Sequence, residues 1–318
     1  MKNNLLFAFL LLTLACSGSI DRTMDAGRRF TEINGLQSGV LTRSQSPYHV
    51  TGTLTVAPGA ALEIEAGVSL SFDNSIGLII QGSLQATGTT VRFISFQAFD
   101  NPIGDDDWDG IKFVAAGAAS QLAFCTIQDV RIDMADSLEN ATIEVVNSQL
   151  EMSNCIIRNN STPVGGGLFA SRSRVTIKNS IFRDNQSGNF GAAILCIESE
   201  AEIINNTIFN NRSINIGSGL VLVDQVSTDV QNNIFFQNTS GTGDPRIAIF
   251  SGDSTNFHQA FNFLPFGRLD PRFISNENLH LSIGSPAMNT GNPDPAFNDI
   301  DGTRNDQGAF GGPLGNWL

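Results

Sequence analysis

NCIIRNN at 154–160, NSIFRDN at 179–185, NTIFNNR at 206–212 and NIFFQNT at 233–239 write one phrase four times, at spacings of 25, 27 and 27 residues. A second phrase interleaves with it: GGGLFAS from Gly165, GAAILCI from Gly191 and GSGLVLV from Gly217, each 26 residues after the last, with NATIEVV from Asn140 as a degenerate earlier copy. A period in the twenties is the signature of a solenoid, in which each short unit buries its apolar face only against its neighbours. The units hold β-branched and aromatic runs such as VTIKNSIF from Val175, separated by Gly, Asn and Ser and without helical spacing, so they are strands. Equivalent strands one coil apart pair in parallel at about 4.8 Å, which sets each residue above its counterpart.

Columns follow from that stacking. Leu122, Met152, Ile177 and Ile204 are expected to form one inward stack, and Thr126, Ile156, Ile181, Ile208 and Phe235 another. Between them Asn154, Asn179, Asn206 and Asn233 are expected to form a ladder, with Phe124 in the same column one coil earlier. Stacked amides bond one another and satisfy polar groups that a bend would otherwise bury unpaired.

These phrases resemble the right-handed parallel β-helix proteins of pectin-lyase-like architecture. The resemblance implies an all-β, single-stranded right-handed parallel β-helix (solenoid) with a capping C-terminal tail. It specifies architecture far better than activity, because such helices include lyases, hydrolases, adhesins and proteins without chemistry.

Lys2, an apolar run from Leu5 to Leu14 and the ending TLAC mark residues 1–15 as a signal peptide, too short to span a bilayer permanently. Ala15–Cys16 resembles a bacterial lipobox, although Thr13 stands where that motif prefers Leu. The resemblance implies lipidation at Cys16 and, with Ser17 following, an exported protein held at the outer membrane or cell surface. Residues 16–47 read as a flexible tether, 48–264 as the β-helix and 265–318 as the capping segment. The opening coils are shorter: Leu54 to Leu78 is 24 residues, Leu62 to Leu84 is 22 and Val68 to Val91 is 23. DNPIGDDDWDG, residues 100–110, interrupts the period and resembles the insertion before W-x-G-I in related β-helices, which implies that Trp108 packs on the coil edge.

The net charge of -13, with only 18 Lys+Arg, excludes a nucleic-acid partner held by its phosphates. Phe accounts for 23 of the aromatics against two Trp and one Tyr, which counts against an extended sugar groove, because such grooves favour Trp and Tyr. Cys125, Cys155 and Cys196 do not make a disulfide framework, and Cys125 and Cys155 share a repeat position, so buried stacked thiols are expected.

Two acidic clusters are candidates for Ca2+, which takes crowded oxygen ligands. The first is Asp105, Asp106 and Asp107, flanked by Asp100 and Asp109; the second is Asp299, Asp301 and Asp306 in the tail. Solvated turn acids are the plainer account of the first, and a segment that covers the last coil is that of the second. No other cofactor is implied.

For catalysis, the family's hydrolases carry N-T-D, D-D, G-H-G and R-I-K phrases, which are absent here. The remaining acid/base candidates are Arg158 and Arg183, which share one repeat position, and the column Arg172, Glu198 and Asp224, whose last two members make an acid pair if they face one another. The favoured reading assigns no catalytic residue: a surface lipoprotein whose rigid β-helix contacts a polysaccharide or a surface protein. The rival is a polysaccharide lyase or glycoside hydrolase with a divergent site, and a purely structural envelope role is a third.

Overall fold

The computed structural model describes residues 30–99, 107–133, 140–250, 256–265 and 269–318, and these form a parallel β-solenoid. One coil shows the plan. Leu168–Ser171 lies on a first wall, Arg174–Lys178 on a second and Ile181–Arg183 on a third. Each pairs in parallel with its equivalent in the next coil, Leu168 with Ile194, Arg174 with Glu200 and Ile181 with Thr207. Near the start of the solenoid the long strand Tyr48–Val56 belongs to two walls at once: Tyr48–Val50 pairs with Leu70–Phe72, and Leu54–Val56 with Leu78–Ile80. The second wall has nine strands, and later coils add a short four-stranded sheet.

Alternation along each strand puts one face inside. On the second wall Leu122, Met152, Ile177, Ile203 and Val230 form one buried column. On the third, Ile127, Ile157, Phe182, Ile208 and Phe235 form another. Every member is an apolar side chain removed from water, worth roughly 1.5–3 kcal/mol each for the larger ones.

The corners explain the abundance of Asn and Asp. In the middle coils the turns from the first wall to the second and from the second to the third each use a single residue in the left-handed region, where Asn and Asp are tolerated better than other side chains. Between the second and third walls this residue is Phe124, Asn154, Asn179, Asn205, Asn232 and Phe261 in successive coils, with φ from 48° to 58°. After the third wall it is Asp129, Asn159, Asp184 and Asn210. The residue following each kink points inward.

That geometry corrects the expected ladder by one residue. Ser153 pairs with Lys178 and Lys178 with Ile204, so Asn154 and Asn179 share the kink column with Asn205, not with Asn206. The inward column holds Cys155, Ser180, Asn206, Asn233 and Asn262. Asn206 Nδ2 donates to Asn233 Oδ1 and Asn233 Nδ2 to Asn262 Oδ1, both at 3.0 Å. Ile204 and the group Thr126, Ile156 and Ile181 leave the expected inward columns for the same reason. The doubled Asn at 205–206 and 232–233 allows two alignments, and one step of slip exchanges inside for outside. A longer ladder follows the third wall: Asn160, Asn185, Asn211 and Asn238, joined by side-chain bonds of 2.9, 3.0 and 3.0 Å.

Further expectations change at the ends. Thr31–Leu36 pairs with the strand Tyr48–Val56 and Gly39–Leu41 with Leu62–Ile64, so residues 31–41 build a coil where a tether was expected. Ser69 pairs with Ser95, which sets Val68 beside Ile94, while Val91 is 84% exposed. Trp108 is fully buried inside the coil, stacked on Phe72 at 4.4 Å, with its indole N–H donating to the Gln128 carbonyl. Cys125, Cys155 and Cys196 are free and buried.

Among the described residues the tail runs back along the flank, where a segment covering the last coil was expected. The Asn kink column holds it: Asn232 accepts from Asn292 N, Asn205 donates to the Asp306 and Gly308 carbonyls, Asn179 to Ala309 and Gly311, and Asn154 to Leu314. Trp317 ends the run against Phe93, with its indole N–H on the Ala309 carbonyl. Beneath it lie Ile181, Phe209, Leu279 and Ala309.

Candidate functional site

Two concavities gather the candidate residues. The first is an open trough of about 630 Å³ where the first wall bends into the second, bounded by Ala116–Ala119 on one side and by Arg172, Arg174, Glu198 and Glu200 on the other. Its residues are placed by the repeat. Arg172, Glu198 and Asp224 are the kink residues of successive coils, at φ of 47°, 48° and 47°, so their exposed side chains project outward from the corner. Inside that corner a serine ladder runs parallel to them, Ser148 N donating to Ser173 Oγ and Ser173 N to Ser199 Oγ, both at 3.1 Å.

The expected column is therefore real, but its chemistry differs from an acid pair. Glu198 faces Arg172 at 3.8 Å, Glu200 faces Arg174 at 2.6 Å and Glu202 faces Lys178 at 2.9 Å, each across one coil boundary. Exposed pairs of this kind add little stability, at most about 1 kcal/mol each. What they do is hold donors and acceptors in a fixed grid at the strand spacing.

The second concavity, about 370 Å³, lies between the third wall and the tail. Here Arg158 and Arg183 are brought together as expected, paired in register on adjacent strands. Arg183 is braced: Nε donates to Asp184 at 2.6 Å, Nη1 to the Asn276 carbonyl at 2.9 Å, and the guanidinium rests over Phe209. Arg158 Nε donates to Gln128 Oε1 at 2.8 Å. The tail supplies the opposite side with Glu277, Asn278, Leu279, His280 and Phe310. His280 stacks on Phe310 at 3.7 Å, and its Nδ1 bonds Asn278 Oδ1 at 2.8 Å. Burial lowers its pKa below the ordinary 6.5, which keeps the imidazole neutral at pH 7. Glu198 and Asp224 are not in this cleft.

Repeat reading did not find Glu277 or His280 here, since they belong to no column. The only sequence signal was the row of corner asparagines, whose amides turn out to grip the tail.

The acidic candidates are structural braces in the described residues. Asp299 Oδ1 accepts from Gly312 N at 2.5 Å, Asp301 Oδ1 accepts from Thr303 N at 2.9 Å, and Asp306 Oδ1 from Asn289 N at 2.6 Å. Burial raises the Asp299 and Asp306 pKa values, whereas the Thr303 hydroxyl lowers that of Asp301. Asp107 is buried with Arg131 at 3.0 Å. Among the described residues no three metal-ligating side chains converge. Asp105, Asp106 and Cys16 lie outside the described residues.

A stretch of 112 residues, 32% of the chain, is 36% identical to Protein bark beetle of Drosophila melanogaster. The chain spans 4% of that protein's length. No solved structure matches the chain. The family described as a right-handed beta helix region matches residues 81–260, which contain most of the kink columns and the whole ladder Asn160, Asn185, Asn211 and Asn238. With parallel walls, inward asparagine ladders and that match together, the chain belongs to the right-handed β-helix family.

Proposed function

We propose that this protein is a non-catalytic, lipid-anchored surface β-helix that contacts an extended polysaccharide or surface protein along its second wall. The observation that carries the reading is the trough beside a grid of charge pairs already neutralised across coils, Arg172–Glu198, Arg174–Glu200 and Lys178–Glu202. A carboxylate paired with a cation remains a good hydrogen-bond acceptor for hydroxyl or amide groups. Rows repeated at the coil spacing suit a long ligand that meets several equivalent contacts. The anchor rests on Cys16 and its preceding apolar run.

The rival reading, a polysaccharide lyase or glycoside hydrolase, is favoured by one observation: Arg158, Arg183, Glu277 and His280 share a cleft. One assay separates the two. Lipid-free protein is incubated with uronate and neutral glycans, with and without Ca2+, and both bound glycan and released unsaturated or reducing sugar are measured. Binding without release, reduced by Arg174→Ala, supports the proposal; sustained release overturns it. Mass spectrometry of the mature N-terminus tests the lipid at Cys16.

A further inference from the structure

On the first wall, Ile111–Val114 pairs with Ile143–Val146, which sets Lys112 beside Glu144 on the outward side of two successive coils. Lys112 Nζ and Glu144 Oε2 stand 3.8 Å apart, with side chains only 27% and 12% exposed. The same column places Ile79 before Lys112 and Phe169 after Glu144, so apolar neighbours shelter the pair on both sides. A third group completes the cluster: Asn140 Oδ1 accepts from Lys112 Nζ at 2.8 Å. Asn140 is itself held in place, its backbone carbonyl accepting from Val164 N and its neighbour Ala141 fully buried. The Asn140 carboxamide carbon lies one C=O bond of about 1.2 Å beyond that oxygen, so Nζ is within about 4 Å of it. Lys178, the other lysine among the described residues, meets the Glu202 carboxylate instead.

We infer that Lys112 and Asn140 join in an intramolecular isopeptide bond, with Glu144 carrying the proton. An amine, a carboxamide and a carboxylate fixed in mutual contact are what that condensation requires, because holding the reacting groups together removes most of its entropic barrier. Glu144 takes a proton from the Lys112 ammonium, which frees the Nζ lone pair. That transfer cancels both charges of a poorly solvated pair, so it relieves a desolvation cost. Nζ then bonds to Asn140 Cγ and the Cγ–Nδ2 bond breaks. Nζ gives up two protons in all: one passes through Glu144 to the departing Nδ2, and the released ammonia takes the other and leaves as ammonium. Glu144 ends as the carboxylate it began as, and no oxidant or cofactor is consumed. The product is a covalent rung between neighbouring coils, joining side chains 28 residues apart in sequence. The inference is independent of what the trough binds.

Mass spectrometry of the purified, folded chain tests this, on the intact protein and on its proteolytic digest. The parent is expected to be lighter by one ammonia than its sequence, after allowance for the mature N-terminus, and its digest to contain a branched peptide joining Lys112 to Asn140. Lys112→Arg keeps the positive charge, but a guanidinium stays protonated and does not attack. Glu144→Gln keeps the shape of the side chain and loses the proton acceptor. Both variants alter partly exposed positions and should fold, which circular dichroism checks, and both should show the full sequence mass. A folded parent at full sequence mass overturns the inference. So does an ammonia loss that persists in Lys112→Arg, since a succinimide at Asn34–Gly35 has the same mass and peptide mapping would place it there. A link that forms as completely in Glu144→Gln as in the parent overturns the role given to Glu144.

Discussion

At the scale of the residue, neighbouring asparagines have opposite jobs. Asn210 sits at a kink with φ of 53°, exposed, whereas Asn211 is fully buried, donating to the Phe182 carbonyl and to Asn238 Oδ1. Replacing Asn211 by Ala strands a buried carbonyl and two ladder partners, so a loss of about 2–4 kcal/mol is expected in urea melts. Asn210→Gly keeps the left-handed turn at no steric penalty and should stay within about 1 kcal/mol of the parent. The cysteines give a second prediction. Burial lifts the Cys196 thiol from 9.0 to about 12. Burial also raises Cys125, with Cys155 beside it adding to the shift. Below pH 9 folded and unfolded Cys196 both keep the proton, and its contribution is fully present. Above that, unfolded thiols ionise first, and stability falls as pH climbs toward 12. Cys196→Ala should remove on the order of 2 kcal/mol of the stability lost between pH 8 and pH 11, read from urea midpoints.

At the scale of the element, the tail acts as a strap along the flank. Its far end is fixed by Trp317, which is buried, bonded to the Ala309 carbonyl and set against Phe93 and Phe310. Trp317→Ala removes this anchor and should weaken docking by about 3–5 kcal/mol. Hydrogen exchange at Gly308, Ala309 and Gly311 should then accelerate, while amides of the inner wall strands such as Arg174–Lys178 keep their protection. Were the walls to lose protection equally, the strap would be part of one cooperative unit with them. Strand identity was readable before any coordinates, because β-branched runs recur at one period. Strand register was readable only to within a residue. Where the repeat carries two consecutive asparagines, composition alone does not say which takes the kink and which turns inward; the pairing of Lys178 with Ile204 does.

At the scale of the whole molecule, coils should be removable as units. Ala61 pairs with Ser83 and Ile64 with Ala86, so deleting residues 61–82 joins Ala60 to a residue in the register of the one removed. This variant should keep a β-sheet circular dichroism spectrum and a cooperative melt at a lower midpoint, as expected of nearest-neighbour stacking. Deleting residues 61–81 instead shifts the register by one and turns apolar side chains outward, so it should fail to fold. The same logic separates what each level decided. The sequence by itself determined the architecture, the inward columns such as Leu122–Met152–Ile177, the meeting of Arg158 with Arg183 and the outward row Arg172, Glu198 and Asp224, because in a solenoid every residue meets its own counterpart one period away. Only the tertiary structure decided where the tail lies, and therefore that Glu277 and His280 face Arg158 and that the tail acids brace turns. Those contacts join segments roughly a hundred residues apart that share no repeat, so nothing periodic foretells them, and they arise from the fit of one particular surface to another.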